Sequence, residues 1–260
     1  MQETLTSCSG LCLVALPLSV VPSILWLLFF VYKDRHREKA KNIINVFLWG
    51  IIIALPVVIV ESSFEKFIFA PLAGFVLSGV AYSFIAIAFV EEYAKYLVVR
   101  FRAMPYKFFD EPQDAMVYMI SSALGFAAIE NLLYALTSSS SAVEVLQISI
   151  VRGISATFLH VIASGALGYF IAISMEKPKE KIKFILSGLF LATLLHGIYN
   201  NFLINVQRDV LNTQTTSEIL GVALVATFLI ISGIIIIIGI NKLAYIRFPS
   251  QSNKNRHNNE

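Results

Sequence analysis

The chain has 260 residues, 57% of them hydrophobic and only 14% charged, with a mean hydropathy of +0.74. Soluble domains carry about 25% charged residues, so this composition excludes a water-soluble globular protein and defines an integral membrane protein. The formal net charge of +3 comes with no basic stretch backed by a nucleic-acid-binding module, which excludes nucleic acid as a partner.

Crossing a bilayer takes about 20 apolar residues. Seven stretches reach that length, near 11–32, 44–62, 75–101, 114–136, 147–174, 182–204 and 219–245. The expected fold class is all-α, a polytopic transmembrane helix bundle of about seven spans. Residues 1–246 form a single membrane domain. The polar run 247–260 (RFPSQSNKNRHNNE from Arg247) has no apolar anchor and reads as a disordered tail.

Before the first span, Leu5-Thr6-Ser7-Cys8 looks like a lipoprotein cleavage box but lacks the preceding apolar region. The N-terminus has no basic n-region, so the first apolar run is read as an uncleaved span. Cys8 and Cys12 are the only cysteines; they are either one disulfide at an extracytoplasmic end or two inert thiols. The stretch 64–103 is too long for one perpendicular helix, and Pro71, Gly74 and Gly79 interrupt its first half. We read 64–74 as an interfacial or re-entrant piece, with the span beginning after it.

Ionisable groups within the spans are few. The third span carries Glu91, Glu92 and Lys95. Glu91 and Lys95 are four residues apart with Glu on the N-terminal side, the favourable order for a helical ion pair. Such a pair would neutralise itself and leave Glu92 unexplained. Span four carries Glu130 and Asn131, span five Arg152, His160 and Ser164, and span six His196 with Asn200 on the same face. Each of these has a plain alternative as interhelical hydrogen-bond glue. Together they bring carboxylates, imidazoles and an amide from four spans. Such a group can hold a water, accept its proton and stabilise an oxyanion. Charged groups at this depth usually face the bundle interior or a water-filled cavity. The H-E-x-x-H zinc signature and the G-x-S-x-G elbow are both absent. The competing reading is a proton-coupled membrane transporter or channel using the Glu/Lys/His set as a relay. An inverted repeat would favour it, and none is evident.

The set resembles the PrsW family of intramembrane proteases, within the wider superfamily of CAAX prenyl endopeptidases and bacteriocin-processing enzymes. Its pattern E-E-x-x-K, F-x-x-x-E, H-x-x-x-D is met by Glu91-Glu92-Tyr93-Ala94-Lys95, by Phe126 to Glu130, and by His196 to Asn200. His160 fits an intervening position, and the likeness spans about 80–205. The departure is Asn200, an amide where an aspartate is common; it suits hydrogen bonding to an oxyanion better than binding a cation. The resemblance implies an intramembrane endopeptidase, with Glu91 activating water, Glu92 polarising it or holding substrate, and Lys95 tuning them. Asn131 and Arg152 would support the site. His196 and Asn200 would stabilise the oxyanion, or His160, His196 and Glu130 would bind a metal such as zinc. A metal-free site is slightly favoured, since no local ligand spacing demands an ion. The implied partners are a single-span membrane protein, such as an anti-sigma factor, and the lipid bilayer of a prokaryotic cell.

Connector charges give the orientation. Lys33, Arg35, Arg37, Lys39 and Lys41 follow span one, Arg100, Arg102 and Lys107 span three, Lys177, Lys179, Lys181 and Lys183 span five, and Lys242, Arg247, Lys254 and Arg256 span seven. The other connectors hold only Lys66 and Arg208. Positive residues mark the cytoplasmic side, so the N-terminus is expected outside and the C-terminus inside. A reporter fused within 137–146 is expected to be active only in its extracytoplasmic form, and one after Glu260 only in its cytoplasmic form. A cytoplasmic 137–146 connector would overturn this orientation.

Overall fold

The computed structural model describes the backbone of residues 2–33, 38–72, 74–75, 77–138, 141–211 and 215–243. Side chains are described for 13–32, 38–72, 74–75, 77–138, 141–202, 223–239 and 241–242. The side chains of Cys8 and Cys12 and the tail 247–260 lie outside the described residues.

Regular structure among the described residues is all helical. In order, the chain forms α1 (Gln2–Lys33), α2 (Ala40–Phe64), α3 (Ser78–Ala81), α4 (Val90–Arg102), α5 (Pro112–Thr137), α6 (Ala142–Ile154), α7 (Ala156–Glu176), α8 (Lys181–Leu211) and α9 (Thr215–Leu243). In hydrocarbon every backbone polar group must be satisfied within the segment, which helices do. Among the described residues, five helical stretches are long and apolar enough to cross a membrane: Leu13–Tyr32, Ala40–Leu72, Pro112–Thr137, Ala142–Glu176 and Pro178–Phe202. Ala223–Gly239 is a shorter apolar helix. The segment 78–102 is also helical, but it carries Glu91, Glu92, Lys95, Arg100 and Arg102 within its second half. The protein is an all-α, multi-pass integral membrane protein.

Residues 64–72 continue α2 through a wide π turn, Glu65–Phe69, and a tight 3-10 turn, Ala70–Leu72. The apolar rod therefore reaches Leu72, and the chain turns back before α3. A second π segment, Tyr82–Phe89, runs directly into α4. Such segments recur near functional sites because the extra residue re-aims the side chains that follow. Here it precedes Glu91 and Glu92.

Helix starts follow their local chemistry. Pro112 opens α5 at a position where the missing N–H is not needed. Asp114 closes a capping box, its Oδ2 accepting from the N–H groups of Asp110 (2.9 Å) and Glu111 (2.7 Å). Ser141 caps α6 by accepting from the N–H of Glu144 at 3.3 Å. The fifth apolar stretch is thus two helices, α6 and α7, which meet at Ser155.

Helices α5 and α7 form the centre. In the most apolar window of each of their spans 78% of residues are buried, against 22% for α1. Lipid tails are as apolar as leucine, so helix association depends on close packing rather than on hydrophobic burial. The contacts show how. A Cβ on Gly125 of α5 would come 1.9 Å from the carbonyl oxygen of Phe47 on α2, and one on Gly50 would come 2.2 Å from that of Ser122. On α7, a Cβ at Gly168 would lie 2.7 Å from Met116 Cα. Large apolar side chains such as Leu13, Ile59, Ile182, Phe190 and Ile238 instead point outward, as a lipid-facing surface requires.

Substituting Gly125→Ala or Gly50→Ala is expected to force α2 and α5 apart and to destabilise the bundle by about 1–3 kcal/mol, the scale of core overpacking. Thermal unfolding in detergent measures this. Gly74→Ala, where the added Cβ meets nothing within 4 Å, is the matched control.

Candidate active site

The first turn of α4 delivers Glu91 and Glu92 together, and Lys95 follows one turn on. Successive residues point about 100° apart on a helix, so both carboxylates turn inward only if they bracket a common partner. Lys95 is that partner. Its Nζ donates to Glu91 Oε2 and to Glu92 Oε1, each at 2.9 Å. Lys95 and Glu92 are fully buried and Glu91 is 1% exposed. The sequence pattern accounts for one ion pair here; the structure makes one ammonium neutralise both carboxylates.

That ammonium makes a third contact, 2.7 Å to His160 Nδ1. An ammonium has three donors and no acceptor, so Nδ1 must accept. The proton of a neutral His160 then sits on Nε2, which donates to Glu130 Oε2 at 2.7 Å. Glu130 is held in turn by Arg152, whose Nη2 lies 3.0 Å from Glu130 Oε1. Arg152 Nε donates to Asn131 Oδ1 at 2.9 Å, and Asn131 Nδ2 donates to Thr157 Oγ1 at 2.8 Å. The Arg152 guanidinium stacks over Tyr134, 3.8 Å from the ring centroid. One string of charge-assisted bonds therefore runs from α6 through α5 to His160 on α7.

A second string orients the other imidazole. Ser164 Oγ donates to Glu92 Oε2 at 2.6 Å. Glu92 Oε1 lies 3.0 Å from His196 Nδ1 on α8, which donates to it when Glu92 is ionised. The two imidazole rings are perpendicular, with centroids 5.0 Å apart. Each has one nitrogen fixed by a carboxylate. The other nitrogens, His160 Nδ1 and His196 Nε2, each lie 3.9 Å from Glu91 Oε2.

Glu91, Glu92, Lys95, Glu130, Asn131, Arg152, His160 and His196 are thus brought into one network. Asn200 is not part of it: half-buried one turn beyond His196, it makes no hydrogen bond to these groups. The three ligand atoms that converge within 4.8 Å come from Glu91, His160 and His196. Of the expected set His160, His196 and Glu130, Glu130 is bonded to the far nitrogen of His160 and is not among these three. Spacing along the chain shows which residues share a site, not which side of a ring each partner occupies.

One residue escaped the sequence reading. Glu61 of α2 lies close enough to Glu91 for the two carboxyls to interact, and its Oε1 is buried with no hydrogen-bond partner. The signal was present: the apolar helix continues eleven residues beyond it to Leu72, so Glu61 is not at a span's end. With it, four carboxyl groups (Glu61, Glu91, Glu92, Glu130) face two permanent cations (Lys95, Arg152).

A buried carboxylate–imidazole network inside a multi-pass helix bundle fits a membrane-embedded hydrolase, and comparison with known proteins gives the family. Residues 38–237 match the family model described as PrsW family intramembrane metalloprotease, and the chain belongs to that family. The protein named Protease PrsW from Geobacillus kaustophilus (strain HTA426) is 29% identical over 190 residues, covering 73% of this chain and 79% of that protein. Those of Bacillus subtilis (strain 168) and Clostridioides difficile (strain 630) are 26% and 28% identical over 183 and 187 residues. Each of these two alignments covers 70% of this chain, with 78% and 76% of the respective relative. No solved structure matches. The protein is a protease that acts on membrane-embedded substrate within a lipid bilayer.

Removing one partner of a buried ion pair strands the other and costs roughly 3–5 kcal/mol. Arg152→Met is therefore expected to lower stability by about 3 kcal/mol, and adding Glu130→Gln should recover most of the loss. Thermal unfolding of the single and double variants in detergent checks this.

Proposed function

We propose that the protein cleaves a peptide bond of a single-span, membrane-anchored protein in a prokaryotic cell membrane, using water activated at Glu91. By likeness to the family, that substrate is a regulator such as an anti-sigma factor. The observation that carries the reading is the unequal saturation of the two adjacent carboxylates. Glu92 accepts from Lys95, His196 and Ser164, which occupies both of its oxygens. Glu91 is held by one cation, Lys95, at Oε2, with the Glu61 carboxyl beside it, so it retains lone pairs to take a proton from water. A base must reach the proton it abstracts, and Glu91 lies between both imidazoles. With Nδ1–H committed to Glu92, His196 donates to an oxyanion from Nε2 only as the imidazolium. Asn200, one turn on, supplies a second donor to the substrate, its side-chain amide. Glu92, Glu130, Arg152 and Asn131 hold the imidazoles at fixed tautomer and angle.

The family description names a metal, and the residues fit one. Two imidazole nitrogens and a carboxylate oxygen are a common zinc donor set. The far nitrogen of each imidazole is bound by a carboxylate, as in metal sites where an outer carboxylate orients a histidine ligand. The orphaned Glu61 oxygen favours a divalent cation. His160 Nδ1, His196 Nε2 and Glu91 Oε2 would hold it. Such an ion, when bound, polarises a carbonyl and acidifies bound water. Glu91 is then a ligand, and Glu61 beside it is the carboxyl left to receive a proton.

Both forms require Glu91. Glu91→Gln is expected to lower cleavage of a single-span substrate by about 100- to 10,000-fold, the weight of a general base, with folding retained. Fragments identified by mass in detergent measure it. Loss of wild-type cleavage with a chelator, restored by zinc, would support the metal-held form. Equal cleavage by wild type and Glu91→Gln would remove Glu91 from the reaction. Proton flux through liposomes without any cleavage would favour a relay instead.

A further inference from the structure

Two of the three atoms that converge on the centre already serve a cation. Lys95 Nζ is 2.9 Å from Glu91 Oε2 and 2.7 Å from His160 Nδ1, with its third contact 2.9 Å away at Glu92 Oε1. The lysine is completely buried, and its ammonium lies 4.4 Å from the centroid of the Phe126 ring. His160 Nδ1 has one lone pair in the plane of its ring. A metal ion bonded there needs that lone pair, which now accepts a proton from Lys95, and one lone pair cannot serve both.

We infer that the Lys95 ammonium and a divalent metal ion are alternative occupants of this ligand set. The inference rests on the metal-held form of the proposed function. In the metal-free chain, Lys95 is the stand-in cation. It neutralises Glu91 and Glu92, and it holds His160 in the tautomer that a metal ion also requires, with Nε2–H on Glu130. When the ion enters, Lys95 gives up His160 Nδ1 and Glu91 Oε2 and keeps Glu92. A lysine suits this role: its charge is compact and its stem flexible, and the Phe126 ring already beside the ammonium stays within its reach as it withdraws. Glu92 still faces Lys95, so the displaced ammonium keeps a buried partner. Ser122 Oγ, donating to the Lys95 carbonyl oxygen at 3.2 Å, keeps the backbone of α4 in place as the side chain moves.

The test compares purified, metal-free wild type with Lys95→Met and Lys95→Arg. Zinc affinity is read in detergent by competition with a chromophoric chelator, and thermal midpoints are taken with and without zinc. Lys95→Met is expected to bind zinc roughly tenfold tighter or more, the weight of one displaced charge-assisted hydrogen bond. Its midpoint should fall without zinc and rise more on zinc addition than that of wild type. Lys95→Arg keeps the charge but locks a planar fork onto the carboxylates, so it should bind zinc more weakly than wild type. This variant separates competition for the site from simple charge repulsion, which predicts no change for Arg, and it keeps the inference falsifiable if Lys95→Met does not fold. Zinc binding equal in wild type and Lys95→Met, or unweakened in Lys95→Arg, overturns the inference and leaves the metal-held form standing. Absence of zinc binding in all three overturns both.

Discussion

Everything in this molecule depends on neutralising carboxylates that the bundle has removed from water. An isolated buried ion costs several kcal/mol even after relaxation, and Glu91 and Glu92 are adjacent and buried. Lys95 answers both at once because positions three and four residues apart on a helix meet on one face. Its remaining proton reaches across to His160 on α7, so the same ammonium that satisfies α4 also ties it to the centre of the bundle. Without that contact, the first turn of α4 would be a destabilising insertion rather than the anchor of a site.

From this point the architecture follows in layers. The imidazoles are fixed by carboxylates on their outer nitrogens, and those carboxylates are fixed by Arg152 and Ser164. Each outward step exchanges a reactive group for a more saturated one, ending in the amide–hydroxyl contact of Asn131 with Thr157. Preorganisation of this kind places the reorganisation cost in folding rather than in the reaction. It also explains why α5 and α7 are so deeply buried: they carry the orienting groups, while the lipid-facing helices carry large aliphatic side chains.

The sequence was most legible where it broke its own pattern. Ionisable residues in apolar stretches stand out, so Glu91, Glu92, Lys95, Glu130, Arg152, His160 and His196 were all visible, and the structure brings them together. The helical class followed from the length and apolarity of the runs. Glu61 was lost because the run after it was read as interfacial, whereas the π and 3-10 turns carry α2 on to Leu72. The division of the fifth stretch at Ser155 gave no periodic signal, since both halves are apolar. The partner of each imidazole nitrogen depends on side-chain rotation, which chain spacing does not encode. Asn200 shares a face with His196 by spacing, yet it stands apart from the network because the network ends at the turn His196 occupies.

The glycine contact between α2 and α5 sets a distance far from where it occurs. Gly50 and Gly125 let two backbones touch with no side chain between them, so the helices have no room to slide. Glu61 lies eleven residues along the same rod as Gly50, about 16 Å at the rise of an α-helix. Its place beside Glu91 is therefore measured off from that contact, as a vernier is read from its zero. A slip of one helical turn would shift the carboxyl by about 5.4 Å, enough to withdraw it from the centre altogether. Two residues with no chemistry of their own thus help determine whether the Glu61 carboxyl comes beside Glu91.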